Sequence, residues 1–273
     1  MTTDQKIWFI TGTSRGFGRI WAEAALARGD CVVATARNTD ALQALVDQYG
    51  DRVLPLPLDV CDRKAVFRTV AAAYEHFGRL DVVINNAGYG LFGMVEEVSE
   101  QQARAQFETN FFGALWVTQA VLPLMRMQRS GHILQVSTIG GVTAFPLFGL
   151  YNASKWALEG MSQALAAEVR EFGIKVTLIE PTAFATEWAG NSAVHATPRT
   201  EYDGVRQQVL GMWSGQTPGQ PEASAAAVLA LVDAEQPPLR VFFGDMLGMM
   251  QAEYGQRLHD WEQWQALAIA ARG

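Results

Sequence analysis

Short apolar runs recur along the chain, separated by longer stretches in which apolar residues return every three or four positions. The runs are "IWFI" (7–10), "CVVAT" (31–35), "VLPL" (53–56), "VVIN" (82–85), "ILQV" (133–136), "KVTLIE" (175–180) and "RVFF" (240–243). Each has the length of a strand buried on both faces, since a half-exposed strand would alternate polar with apolar residues. The stretches 19–28, 62–76, 101–127 and 154–171 carry Ala, Leu, Glu and Arg at helical spacing. Strand and helix alternate throughout, which predicts an α/β fold built on a parallel, doubly wound sheet. Such sheets bind ligands where the carboxyl ends of the strands open around the switch in strand order. Functional residues are therefore expected just after strands.

With 273 residues and 49% hydrophobic side chains, the chain can bury one large core, and a single domain over 1–273 is the expectation. The net charge is −7 and the basic residues are scattered, so the basic stripe that phosphate-backbone binding needs is missing and nucleic acid is excluded as a partner. The longest apolar stretch, "FFGALWVTQAVLPLM" (111–125), is broken by Thr118 and Gln119. It is shorter than the roughly 20 residues of a membrane-spanning helix and reads as a buried or interface helix, with no membrane partner. "MTTDQKIWFITG" runs straight into a strand pattern without a basic flank and signal-length apolar core, which predicts a cytoplasmic protein. Cys31 and Cys61 show neither metal nor redox spacing and read as small buried hydrophobes. His76, His132, His195 and His259 share no ligand spacing, so no metal is expected.

The segment 187–220 is rich in polar, Gly and Pro residues and reads as a mobile substrate flap, part of a C-terminal extension covering the substrate. Phe92, Met94, Phe145, Phe148, Trp188, Met212 and Trp213 follow strands or belong to the flap. They fit either an apolar pocket or ordinary core packing. "WEQW" (261–264) reads as helix packing.

The first strand is followed by "TGTSRGFG" (11–18), with Gly12, Gly16 and Gly18 around Ser14, Arg15 and Phe17. Glycines there let the backbone turn sharply and let a pyrophosphate approach the amides at a helix start, whose dipole favours the anion. An acid at the end of the second strand would accept from the ribose 2′-hydroxyl of NADH. The sequence offers "ATARN" instead: Ala36 takes that place, Arg37 follows, and Arg15 stands in the Gly-rich loop. Guanidinium forks suit a 2′-phosphate, so NADPH is favoured over NADH. "YNASK" (151–155) then puts Tyr151 and Lys155 one turn apart on a helix face. An ammonium beside a phenol stabilises the phenolate and equips the pair for proton transfer.

In order and spacing, the Gly-rich loop, "LDV" (58–60), "NNAG" (85–88), "ETNFFG" with Asn110, "YNASK" and "PTAFAT" (181–186) resemble the short-chain dehydrogenase/reductase family from about Lys6 to Thr186. The resemblance implies a Rossmann-type fold and specific roles. Asp59 and Val60 would flank the adenine, while Asn86, Ala87 and Gly88 would line the cofactor channel. Lys155 would also hold the nicotinamide ribose, and Asn110 would hold a water in a relay with it. Pro181, Ala183, Phe184 and Thr186 would fix the carboxamide. Family members carry a serine thirteen residues before the tyrosine; here that position is Thr138, the expected substrate-orienting hydroxyl. Neighbouring residues of an extended strand point to opposite faces, so Ser137 reads as structural. Thr182 departs from the usual glycine, with a small effect expected. The implied activity is reversible NADPH-dependent reduction of an apolar aldehyde or ketone. The alternatives are an NAD-linked alcohol dehydrogenase and a non-catalytic dinucleotide sensor. Helix 103–127 and the helix opening at Tyr151 imply a homodimer or homotetramer.

Overall fold

Strands form wherever the sequence concentrates apolar residues, and helices fill the intervals between them. The computed structural model describes residues 5–188, 190, 192–215 and 217–273. Ala189, Asn191 and Gln216 of the predicted flap lie outside these, as do residues 1–4 of the predicted domain. The strands are β1 (Ile7–Thr11), β2 (Cys31–Ala36), β3 (Val53–Pro57), β4 (Val82–Asn85), β5 (Leu91–Phe92), β6 (Gly131–Val136), β7 (Ile174–Pro181), β8 (Val194–His195) and β9 (Arg240–Phe243). The helices are α1 (Gly16–Ala27), α2 (Gln43–Tyr49), α3 (Arg63–Phe77), α4 (Glu100–Phe107), α5 (Ala114–Gln128), α6 (Gly149–Val169), α7 (Asp203–Trp213), α8 (Ser224–Asp233), α9 (Leu247–Gln263) and α10 (Gln265–Ala270).

Among the described residues, the main sheet has seven strands in the order β3-β2-β1-β4-β6-β7-β9, and every pairing in it is parallel. The chain leaves β1 toward β2 and β3, then crosses back to β4, so the switch in strand order falls between β1 and β4. Ile7 and Phe9 point into a core shared with α3, α5 and α6, where they meet Val66, Val121 and Leu165. Trp8 and Ile10 point the other way, toward Trp21, Leu45 and Val228 of α1, α2 and α8. The period-two alternation of a strand thus feeds two cores at once, which is why these runs carry apolar residues at successive positions. No described helix is long and apolar enough to cross a membrane.

Three expectations need correction. The single helix read over 101–127 is two helices joined by a π-helical turn, Glu108–Gly113, which places Asn110 in a widened turn facing the site. Cys61 is exposed, its thiol 3.4 Å from the Thr109 hydroxyl; it sits in the polar turn after β3, where Asp59 Oδ1 accepts from its amide. The "WEQW" segment does not pack against the body: Trp261 and Trp264 keep 63% and 65% of their surface. The sequence pattern marks an amphipathic helix but does not say what covers its apolar face.

The predicted flap holds β8 and α7. β8 pairs with β5, and the buried Glu97 carboxylate ties the flap down. It accepts from the amides of Met94 and Arg199 at 2.8 and 2.7 Å and pairs with the Arg206 guanidinium. Hydrogen bonds to a charged group are worth about twice as much as neutral ones. Replacing Glu97 by Ala should raise amide exchange across 194–213 by about ten-fold or more while leaving the protection of β1 and β4 unchanged. Uniform loss of protection, or none, in a hydrogen-exchange experiment would contradict this anchoring role.

Candidate active site

The Gly-rich loop joins β1 to the start of α1. Gly12 and Gly16 have φ of +70° and +59°, the left-handed region that L side chains rarely adopt. A Cβ on Gly18 would lie 2.3 Å from the Gly12 carbonyl oxygen, so the helix start and the loop can approach this closely only without a side chain there. Asn86 clamps the turn from β4's side, its Nδ2 donating to the carbonyls of Thr11 and Gly12 at 2.9 and 3.0 Å. Thr11 returns the favour through a hydroxyl that accepts from the amides of Asn86 and Ala87. Its place at the end of the first strand, beside the loop, was the signal for this role, which the motif reading passed over. The result is a concave backbone at a helix N-terminus, with the shape and polarity a pyrophosphate requires.

Ser14 and Arg15 are exposed on this loop, and Phe17 stacks on Trp21 with ring centroids 4.9 Å apart. Arg37 is exposed just past the buried Ala36. Neither Arg15 nor Arg37 has an ion-pair partner among the described residues, whereas Arg19 nearby is held by Glu23. Asp59 is exposed and Val60 buried at the end of β3, while Gly88 is exposed past β4. Two cationic forks are therefore unspent beside a loop that fits a dinucleotide.

On the other side of the switch, α6 delivers Tyr151 and Lys155 to the carboxyl ends of β6 and β7. Both are buried, at 7% and 5% exposure. Lys155 Nζ donates to the Val136 carbonyl at 2.8 Å, and the Thr138 hydroxyl lies beside the Tyr151 phenol, where it favours the phenolate. Thr138 Oγ1 also lies 3.4 Å from the Pro181 carbonyl. Ser137, next along the extended chain, turns away and is buried against Gly141 and Glu159. Asn110 is 1% exposed; both ends of its amide bind the Tyr89 backbone, and its Nδ2 reaches Ser154 Oγ at 3.3 Å. A Cβ on Gly88 would stand 3.1 Å from Asn110 Oδ1 and 3.6 Å from Lys155 Nζ, so the three residues share one corner. Ser154, inside "YNASK", is a further positioning residue that pattern reading missed.

Burial dominates the electrostatics. It pushes the Tyr151 phenol well above its ordinary value, with the Thr138 hydroxyl pulling the other way. It also pushes the Lys155 ammonium down to about 8, against the opposing pull of Glu159. Desolvation disfavours each charged form. The lowering expected on Tyr151 from its neighbouring ammonium is thus outweighed, and the phenol holds its proton through neutral pH.

β7 ends on the buried Pro181; past it Ala183 is exposed and Phe184 meets Phe17 edge-on at 5.0 Å. Thr186 Oγ1 accepts from the Trp188 amide. Thr182 keeps an ordinary φ and fills the space above Gly244, which itself takes φ +121°. The departure from glycine is accommodated by a glycine elsewhere.

Above Tyr151 lies an aromatic box. Trp188 packs 5.0 Å from the Tyr151 ring, and Phe148 contacts Phe92, Trp188 and Trp213 at 4.7, 6.0 and 4.8 Å. Met94, Phe145, Leu147 and Val209 complete it. Leu147 adopts φ +74° while 6% exposed, a strained conformation of the kind held only where surrounding packing fixes it. Met212 stays outside, 70% exposed. Glycine at 90 is required because a Cβ would meet the Trp188 ring at 2.6 Å.

Comparison with known proteins agrees with this arrangement. The short chain dehydrogenase family profile matches residues 6–196. An oxidoreductase of Botryotinia fuckeliana, BOA17, is 42% identical over 97% of this chain and 99% of its own. A 3-ketodihydrosphingosine reductase of Bacteroides thetaiotaomicron is 36% identical, covering 97% of both chains. The crystal structure of a short-chain dehydrogenase from Streptomyces avermitilis superposes with a TM-score of 0.92 at 38% identity, over 99% of this chain and 100% of that one. A serine dehydrogenase complexed with NADP+ matches with a TM-score of 0.76 at 25% identity, over 87% of this chain and 94% of that one. Because the family match runs unbroken from β1 through β8 and takes in both sides of the strand-order switch, the chain belongs to the short-chain dehydrogenase family of dinucleotide-dependent oxidoreductases.

Proposed function

We propose that this protein reduces an apolar aldehyde or ketone with NADPH and that Tyr151 donates the proton. The observation that carries the reading is a phenol kept protonated by burial, set beside the Thr138 hydroxyl and roofed by Phe148 and Trp188. NADPH supplies the hydride when bound. Gly12, Gly16 and Gly18 with the amides at the start of α1 would hold its pyrophosphate, and Arg15 and Arg37 its 2′-phosphate. Asp59 and Val60 would receive the adenine, and Asn86 to Gly88 with Pro181, Ala183, Phe184 and Thr186 the nicotinamide end.

Within this reading, Thr138 orients the carbonyl oxygen and donates to it as negative charge grows, and Tyr151 delivers its proton to that oxygen. Lys155 holds positive charge beside the phenolate that remains. The aromatic box excludes water and selects an apolar carbonyl; the keto group in the name of the sphingosine-type relative points the same way. Assembly as a homodimer or homotetramer through α4, α5 and α6 belongs to the same proposal. Its support is the half-buried Phe112–Trp116 stack, whose Trp116 ring also lies under Arg63.

The first test follows NADPH absorbance across hydrophobic ketones and aldehydes of increasing chain length; kcat/KM should rise with apolar length, and indifference to it would remove the role assigned to the box. For the cofactor, the double change Ala36→Asp with Arg37→Ala should turn the preference toward NADH, because the new carboxylate repels a 2′-phosphate; equal affinity of the parent protein for both cofactors would sink the assignment. For the acid, Tyr151→Phe should keep NADPH binding yet lose turnover. Thr138→Ala should cost on the order of a hundred-fold or more in kcat, while Ser137→Ala should keep turnover within a few-fold. A crippled Ser137→Ala beside an active Thr138→Ala would transfer the substrate-facing role to Ser137.

A further inference from the structure

Beneath the Tyr151–Lys155 pair lies a second polar cluster that no strand-end motif announces. Glu159 follows Lys155 by one turn of α6, Glu180 is the penultimate residue of β7, and Arg240 opens β9. The side chains of Glu159 and Glu180 keep 6% and 1% of their surface. Arg240 Nε donates to Glu159 Oε2 at 2.8 Å and stands 3.6 Å from Glu180 Oε1, while its Nη2 donates to Gln163. The chain turns tightly over the cluster at Gly141, where a Cβ would come within 2.5 Å of Ser137 Oγ and 3.2 Å of Glu159 Cγ.

One guanidinium faces two buried carboxyls, and the remaining atoms show the imbalance. Glu159 Oε1, Glu180 Oε1 and Ser137 Oγ are buried without a well-formed hydrogen bond among the described residues, although the side chains of Ser137 and Glu180 both approach the Glu159 carboxyl. Two ionised carboxylates this close in a low-dielectric interior repel strongly, and the usual resolution is one proton held between them. Such a proton gives each orphaned carboxyl oxygen a partner. Arg240 lies closer to Glu159, which marks Glu159 as the end that carries the charge. The directions agree: burial and then the Glu159 charge push Glu180 up to about 8, and burial raises Glu159 while Ser137 and Arg240 oppose it.

The charged groups around Glu159 are Lys155 on its own helix, Glu180 from β7 and Arg240 from β9; Ser137 meets it from the end of β6. Beyond Arg240, Gln163 and Tyr254 line the cleft that leads out. The hydrogen-bond partner of the Lys155 ammonium is the neutral Val136 carbonyl, and Glu159 is the opposing charge that acts on it. We propose that Glu159 and Glu180 share a single proton and that the resulting monoanion is the positioning group that keeps Lys155 charged beneath Tyr151. The positioning role rests on the reading of Tyr151 as the acid; the shared proton does not.

Glu159→Gln takes the negative charge away from the position that acts on Lys155 and leaves it to Glu180 beside Arg240, so the buried ammonium is less stabilised and loses its proton at lower pH. The alkaline limb of the kcat/KM profile for reduction should move down by about one pH unit, and Glu159→Asp, which keeps the charge, should bring it back toward the parent position. Infrared spectroscopy of the cofactor-free protein gives a readout without turnover. At neutral pH the parent should show the C=O stretch of a buried protonated carboxyl, and Glu180→Gln should abolish it. Glu180→Gln leaves Glu159 paired with Arg240, so the infrared test stands even where Glu159→Gln does not fold. Absence of the band in the parent protein, or an alkaline limb in folded Glu159→Gln that superimposes on the parent's, would overturn the proposal. Tyr151→Phe keeps the two readings apart: an active variant removes the acid assignment and the positioning role with it. An inactive one, together with an unshifted Glu159→Gln limb, removes the positioning role alone.

Discussion

A parallel sheet sealed by a hydrophobic core on each face leaves polar chemistry one place to stand, the edge where its strands end. Here Trp8 and Ile10 fill one core and Ile7 and Phe9 the other, so a charged side chain within β1 would have no exit to water. β1 and β4, which flank the strand-order switch, therefore become polar only as they finish, at Thr11 and Asn85, and Ser137 with Thr138 follow β6. The strand-order switch between β1 and β4 then opens a crevice, with the Gly-rich loop on one wall and the start of α6 on the other. The position of the site follows from the two cores.

The same burial that shapes the crevice sets its proton chemistry. Tyr151 and Lys155 are both taken out of water, which favours the neutral phenol and weakens the ammonium. A neutral phenol suits a proton donor. A weakened ammonium does not suit a group that must stay charged, and one pKa unit corresponds to about 1.4 kcal/mol. Compensation requires negative charge close by that does not itself reach the substrate. A carboxyl one helical turn further along α6, held below the turn at Ile139–Gly141 by Arg240, meets both conditions. The second carboxyl, Glu180, shares a proton with Glu159 and so adds no further charge: the pair carries one negative charge, which Arg240 faces from β9 and Lys155 from one turn back along α6.

Much of this was readable in the sequence, and the limits have physical causes. The seven main-sheet strands were legible because burial on both faces demands uninterrupted apolar runs. The Gly-rich loop was legible because left-handed backbone and close approach admit almost only glycine, as Gly12, Gly16 and Gly18 show. The opposite orientations of Ser137 and Thr138 followed from strand alternation alone. The π-helical turn at Asn110 was not legible, because one extra residue in a helical turn leaves the apolar periodicity on either side almost unchanged. Neither was the Glu159–Glu180–Arg240 cluster, whose members are 21 and 60 positions apart along the chain and meet only because β7 and β9 pair in parallel. The exposure of Trp261 and Trp264 was hidden for a related reason: amphipathic spacing describes a helix, not its neighbour.

The aromatic box adds a constraint from the opposite side of the site. Phe148 immediately precedes α6, so the residue that anchors the roof is covalently tied to the helix carrying Tyr151. Leu147 before it accepts a left-handed φ, and its carbonyl receives the Gly93 amide at 2.8 Å, which locks this corner to the β5 segment. Trp188 and Trp213 come from the flap, where Glu97 holds Arg199 and Arg206. The roof and Tyr151 thus share one rigid element, while the remaining wall depends on a polar anchor remote from Tyr151. On the proposed function, a carbonyl too long for the box would press on Trp188 and Trp213 before it could displace Phe148, so that adaptation to size would fall to the segment 187–220 and leave the geometry at Tyr151 unchanged.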